Sequence, residues 1–131
     1  MSTDPVRRLL DQLADPNPRV RRLALVALDD RLTVGCLEPL LEIVQDPDPT
    51  VRRLVVRLLE TLGDARAIPA VARALGDPDA LVRDAASLAL RELRGEQATE
   101  LLLYALRVSD DPRIRRTVQR TLDDRRTALR A

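Results

Sequence analysis

The sequence predicts an all-α solenoid: a right-handed α-α superhelix of about eight helices, laid out as a leading half-repeat, three full repeats and a terminal half-repeat. Three observations carry this. The stretch Asp46-Pro47-Asp48-Pro49-Thr50-Val51-Arg52-Arg53 has a counterpart before it, Asp15-Pro16-Asn17-Pro18-Arg19-Val20-Arg21-Arg22, and two after it, Asp77-Pro78-Asp79-Ala80-Leu81-Val82-Arg83-Asp84 and Ser109-Asp110-Asp111-Pro112-Arg113-Ile114-Arg115-Arg116. The Val/Ile position falls at 20, 51, 82 and 114, a spacing of 31, 31 and 32 residues, and a near-constant period in that range marks a stacked helical array. Between recurrences the apolar residues follow i, i+3, i+4, i+7, the spacing of one helix face.

The elements follow in order, at 4–14, 18–30, 36–45, 49–61, 65–75, 80–93, 97–107 and 112–127. Asp4 and Pro5 open the leading half-repeat as N-cap and N1, and Val6, Leu9, Leu10 and Leu13 form its inward stripe. One period on, the same places hold Leu37, Leu40, Leu41 and Val44; then Ile68, Val71, Ala72 and Leu75; then Thr99, Leu102, Leu103 and Leu106. These are the second helices of successive repeats. The first helices open at Asn17-Pro18, Asp48-Pro49, Asp79-Ala80 and Asp111-Pro112. There the Asx side chain accepts from orphan amides of the first turn, and Pro already holds helical φ and has no amide to lose. Their expected inward faces are Val20, Leu23, Ala24, Ala27 and Leu28; Val51, Leu54, Val55, Leu58 and Leu59; Val82, Ala85, Ala86, Ala89 and Leu90; and the more polar Ile114, Thr117, Val118, Thr121 and Leu122, suited to a terminal cap. Turns fall at Leu32-Thr33-Val34-Gly35, Leu62-Gly63-Asp64 and Leu93-Arg94-Gly95; the first departs from the other two. Gly63, and Gly76 after Leu75, are placed to take the left-handed conformation that closes a helix.

Each repeat offers about six aliphatic side chains worth roughly 1.5–3 kcal/mol apiece when buried. Ordering ~31 residues costs backbone entropy of about 1–2 kcal/mol each. No repeat stands alone on those terms, and stacking is the stabilising unit. The 131 residues therefore form one continuous domain over 1–131.

Composition narrows the chemistry. All basic residues are Arg, there is no His, and Tyr104 is the only aromatic. Without His the commonest general base and metal ligand is missing, so no catalytic residue, metal site or cofactor is expected. Net charge is +1, which carries no whole-chain polyanion signal. The lone Cys36 fits a reducing compartment, and neither a leader nor a membrane-length apolar run is present, which makes a cytoplasmic location the expectation. Cys36 itself reads as a small apolar filler.

The pattern Asp-Pro-x-Pro/Ala-x-Val-Arg, followed by Ala/Leu positions, a turn and a Leu-rich second helix, resembles the HEAT-like repeat of the phycobilisome-lyase type over essentially the whole chain. The resemblance implies a ladder between neighbouring repeats from an Asp in the turn and an Arg six residues on: Asp15/Arg21, Asp46/Arg52 and Asp77/Arg83, with Arg115 facing Ser109 in place of an acid. It also implies, as an alternative function, an accessory subunit of a bilin lyase or another chromophore-handling complex. The recurring Arg and Asp residues are structural, since a unique site would break the repeat.

The leading functional expectation is a non-enzymatic scaffold or adaptor that binds a protein partner through the concave face of the second helices. Outward positions there include Arg7, Asp11, Glu38, Glu42, Arg73, Glu100, Tyr104 and Arg107, with Tyr104 and the arginines of the type enriched at interface hot spots. The opposite face carries Arg19, Arg22, Arg53, Arg57, Arg113, Arg116 and Arg120, continued by Arg125, Arg126 and Arg130. Nucleic-acid binding through that face is the second alternative, disfavoured by the lack of aromatics to hold a base. Leu25, Val26, Val56, Leu81 and Leu88 suggest an apolar strip nearby, through which, or through the terminal helix, two copies could pair.

Overall fold

The computed structural model describes residues 4–92 and 96–130; the turn expected at Leu93-Arg94-Gly95 lies outside the described residues. Among the described residues there are eight α-helices and no strand: α1 Pro5–Gln12, α2 Pro18–Leu28, α3 Leu37–Glu42, α4 Pro49–Leu62, α5 Ile68–Ala74, α6 Ala80–Glu92, α7 Glu96–Val108 and α8 Pro112–Arg130. The architecture is an all-α solenoid. The first helices α2, α4, α6 and α8 pack in series as one layer, and α5 packs on α7 in the other.

The starts of α1, α2, α4, α6 and α8 have the expected chemistry. Oδ1 of Asp4 accepts from the Val6 amide at 3.0 Å, Asn17 from Arg19 at 3.0 Å, Asp48 from Thr50 at 3.3 Å, Asp79 from Leu81 at 2.9 Å and Asp111 from Arg113 at 2.9 Å. The second helices α3 and α5 are shorter than their apolar spacing suggests. Their entries wind as 3-10 turns at Val34–Cys36 and Ala65–Ala67, and their ends tighten into i→i+3 bonds that deliver Asp46 and Asp77 into the next turn.

Gly63 takes φ 69°, ψ 17° and closes α4 by donating its amide to the Leu59 carbonyl at 3.0 Å. A Cβ there would make only an ordinary contact with the Glu60 carbonyl at 3.9 Å, so strain is the whole cost. Gly63→Ala is expected to lower stability by about 1–2 kcal/mol in a urea titration, and Gly63→Asn by less. Gly76 does not play this part: Gly63 alone among the described residues has positive φ. What Gly76 supplies is room, since a Cβ would sit 2.7 Å from Asp111 Oδ2 and 3.4 Å from Ile114 Cδ1.

The core runs through the stack in columns one period apart: Leu28, Leu59 and Leu90; Leu40, Val71 and Leu102; and the small residues Cys36, Ala67 and Ala98. Cys36 is thus buried where later repeats place alanine. Two expected inward faces are corrected. In α2, Leu23 is 70% exposed and Ala27 is also open, while Leu25 is buried. Leu23 and Ala27 match Leu54 and Leu58 of α4, which look back toward the preceding first helix; α2 has none before it among the described residues. Leu25 and Val56 look forward to the following helix and are buried. The supposed apolar strip is therefore interrupted, with only Val26, Leu81 and Leu88 of its members exposed. In α7, Leu103 is 48% exposed while Ala98, Leu102 and Ala105 are buried. The helix is rotated relative to α5, and two more residues separate its last buried position, Ala105, from Ile114 than separate Leu75 from Val82.

Thr121 of α8, buried as its inward register requires, has its hydroxyl donating to the Thr117 carbonyl at 2.9 Å, so the polar atom is satisfied locally.

Candidate functional site

The repeated turn is a closed hydrogen-bonded knot. Asp15, Asp46 and Asp77 each use Oδ1 to accept from the amide two residues on, at 2.8, 2.9 and 2.9 Å. The Arg six residues on donates Nη1 to the carbonyls of the same Asp and the following Pro. For Arg21 these bonds are 2.8 and 3.0 Å, for Arg52 2.8 and 3.2 Å, and for Arg83 2.8 and 3.0 Å. Within a repeat, then, Arg meets the Asp backbone and not its carboxylate.

The carboxylate belongs to the following repeat. Arg52 grips Asp77 bidentately, Nε to Oδ2 at 2.8 Å and Nη2 to Oδ1 at 3.1 Å. Arg21 meets Asp46 through one hydrogen bond, Nη2 to Oδ1 at 3.0 Å, while its Nε lies 2.8 Å from Oδ2 as an ion-pair contact without hydrogen-bond geometry. A planar guanidinium fork matches a carboxylate in the manner of Arg52 and adds direction as well as energy. The hydrogen bond that Arg52 donates to Asp77, more than the charge of that acid, holds the Arg52 pKa above its already high ordinary value. One period beyond Asp77 stands Ser109, whose Oγ accepts from the Asp111 amide at 3.2 Å and keeps the capping part of the role. It has no carboxylate for Arg83. Arg115 closes its own knot on the Ser109 carbonyl at 3.1 Å and on the Leu106 carbonyl.

A second rung occurs once among the described residues: Arg22 Nε donates to Asp48 Oδ2 at 2.5 Å. That hydrogen bond, aided by the Thr50 amide and the charges of Arg22 and Arg21 and opposed by desolvation, holds the Asp48 carboxyl below its ordinary range. Asp64 is lowered likewise by Arg66, chiefly through its side-chain hydrogen bond. A carboxylate whose folded pKa is depressed contributes stability above the unfolded value and loses it as pH falls through the folded one. Asp48→Asn keeps the cap, as Asn17 shows in the previous repeat, and removes the titration. Its urea midpoint is expected to fall less steeply than wild type between about pH 5 and 2; parallel declines would contradict the assignment.

On the second-helix face, Arg7, Asp11, Glu38, Glu42, Arg73, Glu100, Tyr104 and Arg107 all reach solvent. Arg7 and Asp11 form an exposed i, i+4 pair at 3.8 Å, and Glu38 adds its charge to the field on Arg66. The structure gathers only part of this set. Arg73 and Tyr104 line one groove of about 290 Å³ between α5 and α7, together with Pro69, Val108 and Ile114. Glu100 and Arg107 line an adjoining open groove with Leu103 and Leu106. Tyr104 is 49% exposed and Val108 58%. Leu103 and Val108 were not expected on this face; the lengthening of the last period from 31 to 32 was the signal that the face of α7 had turned.

Of the opposite face, Arg22 is committed to Asp48, and Arg19, Arg57, Arg113, Arg116 and Arg120 are exposed. Among the described residues no three His, Cys, Asp or Glu side chains gather where a metal ion could be held. No helix of the described residues is long and apolar enough to cross a membrane.

A stack of capped helix pairs, with its polar chemistry spent on joining repeats, defines the class of helical-repeat proteins. A family model described as HEAT repeats matches residues 37–123, and the chain belongs to that family. A comparison with curated proteins finds no match. HEAT repeats generally mediate protein–protein interaction.

Proposed function

We propose that the chain is a non-enzymatic scaffold that binds a protein partner through the second-helix face, centred on the α5–α7 groove. The observation that carries this is Tyr104. The one aromatic side chain stands half-exposed beside Arg73 and Val108 in a groove whose floor includes Ala72 and Ala105. An aromatic ring and an arginine over small apolar residues have the composition of an interface hot spot. The exposed Leu103 extends the same patch, and Glu100 and Arg107 supply a charged rim. Placing the repeats in the phycobilisome-lyase type rests on the Asp-Pro-x-Pro motif alone, and an accessory role in a bilin lyase rests on that placement.

The test is affinity capture from the native host with wild-type, Tyr104→Ala and Arg73→Ala baits, read by quantitative mass spectrometry. We expect at least one protein retained by wild type and reduced tenfold or more by both variants, whose melting temperatures stay within about 2 °C of wild type because both side chains are exposed. Identical capture by all three baits would place the interaction elsewhere.

A further inference from the structure

We propose that the groove between α6 and α8 docks an acidic segment of a partner protein, with one of its carboxylates seated on the guanidinium of Arg83. This goes beyond the second-helix reading: the groove shares no lining residue with the one that holds Tyr104. It occupies about 240 Å³ and is lined by Arg83, Arg113, Arg116 and Arg120 against a single acid, Asp84, with the hydroxyl-bearing Ser87 and Thr117 among them.

The chain itself states what Arg83 is built to hold. Its two equivalents, Arg21 and Arg52, each present Nε and Nη2 to an Asp of the next repeat. Arg83 is anchored as they are, by Nη1 on the carbonyls of Asp77 and Pro78. Its Nε and Nη2 thus have the same aim, but the residue one repeat on is Ser109, and among the described residues no acid lies within ion-pair distance of Arg83. Arg113, Arg116 and Arg120 likewise have no ion-pair partner there among the described residues. The packing agrees: α8 touches α6 far less extensively than α4 does, so the space between them stays open. Four arginines converging on a groove attract an anion, and the spacing of a fork that twice takes a carboxylate in this chain favours an Asp or Glu side chain over a phosphodiester.

The experiment is fluorescence anisotropy of a labelled hexaglutamate peptide with the full chain at low ionic strength, with labelled hexaglutamine and a labelled DNA duplex as further probes. We expect hexaglutamate to bind and hexaglutamine not to. Arg83→Gln should weaken binding tenfold or more, and Arg116→Gln and Arg120→Gln severalfold. Ser109→Asp, which lies outside the groove lining and supplies the missing acid from within the chain, should also weaken it about tenfold. Arg19→Gln, an exposed arginine at the other end of the array, should leave it unchanged. Wild-type affinity in Ser109→Asp would overturn the proposal even if Arg83→Gln folds poorly. An equal loss in Arg19→Gln, showing only diffuse charge attraction, would also overturn it, as would tighter binding of the DNA duplex with the same dependence on Arg83.

Discussion

Replacing Leu59 by alanine is expected to lower the folding free energy by about 2–5 kcal/mol, the range for truncating a large aliphatic in a packed core. Leu59 is the middle member of the Leu28, Leu59 and Leu90 column and is almost wholly buried. It lies on α4, which packs against the first helices on both sides, α2 and α6. A cavity at this point loosens both stacking interfaces at once. In an array whose units contact only their neighbours, damage in the middle interrupts the coupling that makes the repeats unfold together. The urea transition of Leu59→Ala should therefore shift to lower denaturant and broaden, with a smaller m-value. Leu23→Ala is the control: that leucine is mostly exposed, and its loss should cost no more than about 0.5 kcal/mol.

Asp77→Ala is expected to destabilise the chain by about 2–3 kcal/mol. Asp77 does two jobs with one carboxylate, accepting both arms of the Arg52 fork and capping the Asp79 amide. Hydrogen bonds to charged groups contribute about 1.5–3 kcal/mol each when lost singly. The side chains of the pair keep 16% and 10% of their surface exposed, so water reaches the stranded Arg52 and the loss stays below that of a fully buried ion pair. Asp77→Asn retains the cap and one acceptor and should cost roughly half as much. Equilibrium urea unfolding of the two variants separates the charge from the cap: wild-type stability in Asp77→Asn would mean that the charge of the rung contributes nothing.

How far such features could be read from the residues alone depends on the range over which each is decided. The helix starts are decided within three residues, and Asx-Pro names them without reference to anything distant. The knot of Arg21, Arg52 and Arg83 on the carbonyls six residues back is nearly as local. The pairing of Arg52 with Asp77 spans 25 residues, yet a constant period carries it, because a ladder needs only that the next repeat look like the last. Where the period slips to 32, inference from equivalence fails: Leu103, aligned with the buried Ala72, turns out to solvent, and Val108 joins it. The exposure of Leu23 was hidden for a different reason. Its own helix resembles the others, and only its place at the start of the first-helix layer leaves that flank open. The α5–α7 groove depended on both a helix rotation and a meeting of helices from different repeats, so Arg73 and Tyr104 could be named separately but not brought together.

One acid per turn joins each repeat to the one before it, and the series stops at Ser109 with Arg83 still configured to receive it. A double-mutant cycle by urea denaturation on Ser109→Asp and Arg83→Gln tests this most directly. The prediction is that Ser109→Asp raises stability by about 1 kcal/mol in the presence of Arg83, as a charge-assisted bond would, and gives no gain once Arg83 is glutamine. A change of the same size in both backgrounds would show that position 109 and Arg83 do not meet and that the ladder does not end on an open Arg83.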